Sequence, residues 1–162
     1  MTLPTTRPCE SGCTSFSSEF DAELTAETTF SERLHAVCHS NVGWYGDKSI
    51  SSQAEVPDWG IDERFGVYIL WHKESFCDVH ETFLMRALYV SRGHVKYRLR
   101  QHWKNKSFAD QMLVYWSYLE MSNRKSKYIE QLLLDSFKFG YNANENRGQQ
   151  PLLACFSQNE VD

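Results

Sequence analysis

The chain has 162 residues, a formal net charge of −4, and 41% apolar, 14% aromatic and 23% charged residues. This size and composition predict one globular domain with a hydrophobic core, and they exclude a collagen and a wholly disordered chain. No apolar run approaches the roughly 20 residues that span a bilayer, and the N-terminus lacks the pattern of a secretory signal. We therefore expect a cytoplasmic protein without a membrane partner.

Charge divides the chain into three parts. Residues 1–63 hold three Lys or Arg and eleven Asp or Glu, a net charge of −8, whereas residues 64–147 carry a net charge of +6. We therefore predict an acidic N-terminal extension over residues 1–63, a core over residues 64–147 and a C-terminal tail over residues 148–162. A basic core attracts phosphate even in an acidic chain, because the field close to the surface matters more than the total charge.

The N-terminal extension is expected to be partly helical. Residues 1–20 are rich in Ser, Thr and Pro, which is typical of a flexible leader. Apolar residues at three- and four-residue spacing predict a helix from about Thr28, on which His35 and His39 form a structural pair rather than a metal site. Glycine and proline interrupt residues 40–63 and predict an irregular connection.

The pattern changes at Phe65. A run of aromatic and β-branched residues predicts a strand over residues 65–71, and residues 85–90 predict a second strand after a polar stretch. A basic helix is predicted over residues 94–105. Residues 111–121 alternate well enough for a strand, yet they also suit a buried helix.

A last helix is predicted from a cap at Ser122 or Asn123 to about Phe139, with Gly140 as its stop. Four of its apolar residues recur at helical spacing and give it a buried face. The order strand, strand, helix, strand, helix predicts a small α+β domain.

Five short features of the predicted core follow one another in a fixed order. They are Gly66-Val67-Tyr68, Tyr89-Val90-Ser91, Arg98 followed four residues later by His102, then Glu130, and finally Asn142. This ordered set resembles the GIY-YIG nuclease superfamily over roughly residues 65–145. The resemblance implies a small three-stranded antiparallel sheet flanked by helices.

Two departures from the family pattern stand out. Ser91 stands where the second tyrosine motif has glycine, although Gly93 follows and can supply a permissive backbone. The stretch between the two tyrosine motifs is also longer than a short hairpin. Residues 71–84 are therefore predicted to be an insertion at the hairpin tip.

The resemblance implies a metal-dependent DNA endonuclease, and the residue types fit that chemistry. Glu130 offers a carboxylate for a single Mg²⁺ or Mn²⁺, an ion that keeps most of its waters and takes a phosphate oxygen as a ligand. Arg98 offers a permanently charged fork to the phosphate oxygens. Tyr68 and Tyr89 are candidates to position or deprotonate the attacking water, and which of them is the base stays open. His102 would orient a phosphate or relay a proton.

A basic run surrounds these residues. No Asp or Glu occurs from residue 92 to residue 106, so we predict phosphate contacts along it. The candidate nucleic-acid contacts are Arg92, Lys96, Arg100, Lys104, Lys106 and Asn142.

Each of these features also has an ordinary structural interpretation. The two tyrosines suit a strand core, the basic run suits a solvated face, and Asn142 suits the turn after a helix. The alternative function is a catalytically inactive nucleic-acid-binding or protein-interaction module on the same fold. Restriction, homing, repair and toxin roles all stay open for an active enzyme, because a fold does not select among them.

Overall fold

The computed structural model describes residues 20–24, 33–46, 64–104, 113–142 and 146–161. Most of the predicted leader, the predicted helix start near Thr28 and most of the predicted connection over residues 40–63 lie outside the described residues. Lys106 lies outside them as well.

One five-stranded antiparallel sheet forms the centre of the fold. Its strands, in spatial order, are β1 (Gly43–Gly46), β4 (Leu113–Glu120), β2 (Phe65–Cys77), β3 (Thr82–His94) and β7 (Leu153–Phe156). Two short strands, β5 (Phe137–Lys138) and β6 (Gln150–Pro151), form a separate parallel pair. Of the two predictions for residues 111–121, the strand is therefore the one observed.

The predicted α+β class is confirmed, but the predicted three-stranded sheet is corrected to five strands. The three predicted strands form its middle, β4-β2-β3. The edge strand β1 pairs with β4 inside the stretch predicted to be irregular, and β7 pairs with β3 inside the predicted tail. Each edge strand has only four residues, which is too short to show the alternation that identifies a strand.

The described residues form four helices around the sheet, and residues 20–24 add a further helical turn. The helices are α1 (Leu34–His39), α2 (Val95–Lys104), α3 (Asn123–Ser136) and α4 (Gln158–Val161). The two predicted helices of the core are confirmed as α2 and α3, although α3 ends earlier than predicted. The predicted cap is also present, because the Ser122 hydroxyl accepts a hydrogen bond from the backbone N–H of Lys125 at 3.3 Å. Within the described ranges, no helix is long and apolar enough to cross a membrane.

Strands β2 and β3 form a long hairpin, and residues 71–84, predicted to be an insertion at its tip, are its distal strands and turn. Their pairing continues as far as Cys77 and Thr82. Burial along β2 is continuous up to Trp71, but residues 73–76 are exposed. Residues 73–76 of β2 therefore lack the alternation of buried and exposed residues that would predict a strand.

The sheet carries a hydrophobic core on each face. Val67 packs with Ile129 of α3 on one side, here called the α3 face, and Leu34 of α1 joins the same core. Tyr68 packs with Leu99 of α2 on the other side, here called the α2 face. Successive residues of β2 thus point to opposite faces. Within the predicted N-terminal extension, α1 joins the core of the α3 face, whereas Tyr45 of β1 joins the core of the α2 face.

Gly66 is required by the close approach of two strands. A Cβ atom at this position would lie 2.1 Å from the carbonyl oxygen of Leu119 on β4. Gly66 pairs with Glu120 on β4 and with Gly93 on β3, so any side chain here would disturb the centre of the sheet. The first glycine of the tyrosine motif therefore has a packing role.

A polar contact joins α1 to the C-terminal helix. Nδ1 of His39 lies 2.6 Å from a carboxylate oxygen of Glu160, and the imidazole of His35 stacks on His39 with ring centroids 4.4 Å apart. Burial raises the pKa of Glu160, but hydrogen bonds from His39 and Ser157 outweigh it and hold that pKa below its ordinary value. The two histidines thus take part in a structural contact with a carboxylate.

Candidate active site

Tyr68 is the fourth residue of the central strand β2 and is fully buried on the α2 face. Its partners across the sheet are Ser91 on β3 and Tyr118 on β4. The Tyr68 hydroxyl lies 2.8 Å from Nε2 of His102, which comes from the last turn of α2. The packing of α2 against this face therefore joins the first tyrosine motif to the predicted histidine.

Tyr89 completes an aromatic group with these two residues. Its ring centroid lies 6.2 Å from that of Tyr68 and 5.1 Å from that of His102. Tyr89 is half-buried, whereas Tyr68 has no exposed surface. Of the two candidate tyrosines, Tyr89 is therefore the one that solvent reaches.

The protonation states of this group follow from burial and from Arg98. Burial lowers the pKa of His102 to about 4, and the positive charge of Arg98 contributes to the same shift. Burial and the neighbouring Tyr89 raise the pKa of Tyr68 above its ordinary value, against smaller opposing effects of Arg98 and Ser91. Both groups are neutral at pH 7, so the contact between the Tyr68 hydroxyl and Nε2 of His102 joins two uncharged groups.

Arg98 projects from α2 beside the end of β3, where Gly93 makes room for it. The backbone of Gly93 has φ +145°, and a Cβ atom there would lie 2.9 Å from Nε of Arg98. The expected permissive backbone after Ser91 is thus present. Arg98 is exposed, so its guanidinium is available to a phosphate while its charge still acts on His102.

Glu130 approaches β3 from the other side of the sheet. Its helix α3 packs on the α3 face through Ile129, and one carboxylate oxygen lies 3.9 Å from Nε of Arg92. Arg92 directly follows Ser91, the strand partner of Tyr68. The structure therefore gathers Tyr68, Tyr89, His102 and Arg98 on the α2 face. It places Glu130 on the α3 face, beside Arg92 and near the end of β3 that Arg98 also contacts.

A single-carboxylate metal site fits what Glu130 offers. The described residues contain no group of three or more His, Cys, Asp or Glu side chains that could hold a metal ion. The Glu130 side chain keeps 23% of its surface exposed, so one carboxylate oxygen can reach an ion at the protein surface. Mg²⁺ is commonly held by one or two carboxylates, with waters and substrate phosphates as its other ligands.

The predicted nucleic-acid contacts occupy different environments. Lys96 and Arg100 are partly exposed on α2, Lys104 ends that helix, and Lys106 lies outside the described residues. Asn142 has a structural position. Its side-chain amide donates to the backbone carbonyl of Val90 at 2.9 Å, and its side-chain oxygen accepts from the Val90 N–H at 3.0 Å.

Three residues of this region were not singled out as site residues by the sequence. Ser91 appeared only as a departure from the family motif, yet it lies directly across from Tyr68. Arg124 and Lys127 are exposed cations near the start of α3. The sequence does carry a signal for these two cations. The first turn of this capped helix has no acidic residue, although acidic residues are usually favoured there.

No protein-family model, no curated protein and no solved structure matches this chain.

Proposed function

We propose that this protein is a metal-dependent DNA endonuclease that hydrolyses phosphodiester bonds with one divalent cation, Mg²⁺ or Mn²⁺. The observation that carries the proposal is the contact between the Tyr68 hydroxyl and His102 Nε2 at 2.8 Å, with Tyr89 packed against both rings. Three residues selected from separate motifs meet there, and Arg98 is close enough to influence the His102 pKa. Polar groups assembled in this way at a sheet surface are typical of a reactive site.

In this proposal Tyr89 positions the attacking water. Its hydroxyl is on the tyrosine that solvent reaches, whereas the buried Tyr68 is a positioning residue that holds the His102 imidazole. Such positioning of water by a polar side chain contributes about 10²- to 10⁴-fold to a rate.

Arg98 and Glu130 would act on the phosphate. Arg98 is exposed and presents its guanidinium to the non-bridging oxygens, where negative charge increases during hydrolysis. Glu130 would hold the divalent cation, which supplies charge neutralisation of the phosphate when bound. The two residues lie on opposite faces of the sheet, so both would reach one phosphate only around the end of β3, where Arg98 lies against Gly93 and Glu130 faces Arg92.

The cations of α2 would bind the DNA backbone without reading its sequence. Lys96 and Arg100 flank Arg98 on that helix, and α2 has no acidic residue in its first turn. Contacts of this kind orient a nucleic acid and depend strongly on salt. DNA is therefore the proposed partner. A cytoplasmic location is also proposed.

The experiment is incubation of the purified protein with supercoiled plasmid and Mg²⁺ or Mn²⁺, with and without EDTA. We expect nicked and linear products that EDTA abolishes. Arg98→Ala serves as the matched variant, because an exposed arginine can be removed without opening the core.

A catalytically inactive DNA-binding module is the second candidate, and the full burial of Tyr68 favours it. A buried tyrosine with a satisfied hydroxyl is an ordinary core residue. Binding to plasmid without any metal-dependent cleavage would support this candidate over the nuclease.

A further inference from the structure

Both α2 and α3 begin at the same end of the sheet. Strand β3 ends at His94, immediately before α2, and His94 pairs with Phe65 at the start of β2. Strand β4 ends at Glu120, shortly before α3, and Glu120 pairs with Gly66. The first turns of the two helices therefore flank one sheet end, one on each face.

The polar contacts at this end run from one helix to the other. Arg98 of α2 lies against Gly93, and the next residue back along β3 is Arg92. The guanidinium of Arg92 donates to the side-chain oxygen of Asn123 at 2.6 Å, and Asn123 is the first residue of α3. Arg124 follows directly. Cationic side chains thus continue from α2 around the end of the sheet to α3.

The cations at the start of α3 are not explained by helix stability. Arg124, Lys125 and Lys127 lie in its first turn and a half, and the first turn holds no acidic residue. The start of a helix carries a partial positive charge, so a cation there destabilises the helix. Arg124 and Lys127 are also exposed, which excludes a role in the core. Their positions suit an external anion.

We propose that Arg124 and Lys127 form a second phosphate-binding surface, which contacts duplex DNA on the side of the site opposite to α2. This inference rests on the proposed nuclease function and extends its DNA contact to a helix that no motif assigns. A duplex has two phosphate backbones, and the two helices offer one cationic surface to each side of the sheet end. The contact is with phosphate and is independent of base sequence.

The test compares two double variants that remove the same charge. Arg124→Gln with Lys127→Gln removes the proposed contacts, whereas Lys138→Gln with Arg147→Gln removes two exposed cations beyond the opposite end of α3. Binding of each variant to a long duplex and to a single strand is measured by fluorescence anisotropy over a salt series. Thermal unfolding of each variant is recorded in parallel.

The variant of α3 is expected to bind the duplex about tenfold more weakly, and its logarithmic salt slope should fall by about 2, one for each lost phosphate contact. Its melting temperature should be equal to that of the wild type or higher, because two cations leave the start of a helix. Arg124→Lys, which keeps the charge, should bind nearly like the wild type. The control variant should keep the wild-type slope.

An unchanged slope in the α3 variant, or an equal loss in the control variant, would overturn the inference. A matching loss for single-stranded DNA would overturn its assignment to a duplex. Plasmid cleavage by the wild-type protein tests the nuclease proposal separately from the binding surface on α3. If the wild type cleaves but the salt slope of the α3 variant is unchanged, the nuclease proposal stands and the binding surface is wrong. If the slope falls but the wild type does not cleave, the binding surface is supported and the nuclease proposal is contradicted.

Discussion

The Tyr68 hydroxyl is hydrogen-bonded to His102 Nε2 at 2.8 Å, and the two residues are 34 positions apart in the chain. The contact exists because β2 and α2 share the α2 face, where Leu99 seats the helix against the strand. Tyr68 is fully buried, so this hydrogen bond lies in the core between strand and helix and ties the His102 imidazole to the first tyrosine motif.

The first prediction concerns the protonation of His102. Its pKa of about 4 is caused mainly by burial and partly by Arg98, so Arg98→Gln should raise that pKa by removing a positive charge. Histidine NMR titration measures the shift directly. Lys96→Gln, on the same helix, is the matched control and should leave the His102 pKa close to its wild-type value.

The same depressed pKa predicts the direction of acid sensitivity. The unfolded chain protonates His102 near its ordinary pKa of 6.5, whereas the folded protein does so near 4. The unfolded state therefore binds more protons between these values, and the free energy of unfolding falls as the pH drops through that window. Urea unfolding at several pH values measures the effect, and His102→Gln should reduce the slope of stability against pH there.

The two tyrosines are predicted to differ in their effects on cleavage. Tyr89→Phe removes the hydroxyl of the half-buried tyrosine and should slow cleavage by about 10²- to 10⁴-fold. Tyr68→Phe removes the hydrogen bond to His102 and leaves the Tyr89 hydroxyl in place, so it should slow cleavage less. Single-turnover cleavage measures both effects. Equal rate losses in the two variants would contradict these roles.

Gly66→Ala is predicted to destabilise the sheet severely. The new Cβ would lie 2.1 Å from a backbone carbonyl oxygen of β4, and a backbone atom cannot move aside as a flexible side chain can. We expect a loss of more than about 2 kcal/mol of unfolding free energy, in the range of substitutions that force strands apart. Gly140→Ala is the control, because a Cβ there meets no atom within 4 Å. Urea denaturation of the two variants gives the comparison.

The sequence allowed the elements of the core to be predicted where local patterns were strong. Helix α3 carries both an apolar stripe and a capping serine, and α2 combines an apolar stripe with a basic face. Strand β1 could not be predicted, because Gly43–Gly46 contains two glycines and gains its stability by pairing with β4. Tertiary pairing of this kind is absent from any local window.

The candidate site could likewise be predicted only in part from local sequence. The order of motifs selected Tyr68 and His102, but their contact depends on which face of the sheet α2 covers. The different exposure of Tyr68 and Tyr89 likewise follows from the depth of each strand position beneath α2, which sequence spacing does not encode. Residue types could therefore be predicted, whereas roles that depend on burial could not.

The last prediction concerns Glu130, the residue proposed to hold the metal. Glu130→Gln keeps the shape of the side chain and removes the negative charge that a divalent cation requires. We expect metal-dependent cleavage to fall below detection, while DNA binding stays equal or becomes slightly tighter because one charge that repels phosphate is gone. Folding should be little affected, since the Arg92–Glu130 distance of 3.9 Å describes a weak, partly exposed ion pair.

Glu120→Gln is the matched control for this variant. Glu120 lies at the same end of the sheet and is also paired with an arginine, Arg64, at 2.9 Å, but its side chain is 54% exposed and belongs to no motif. Single-turnover cleavage and a filter-binding curve are measured for both variants at several Mg²⁺ concentrations. We expect Glu120→Gln to cleave at the wild-type rate. Full cleavage by Glu130→Gln, still inhibited by EDTA, would show that another residue holds the metal, because a single carboxylate ligand cannot be lost without losing the ion.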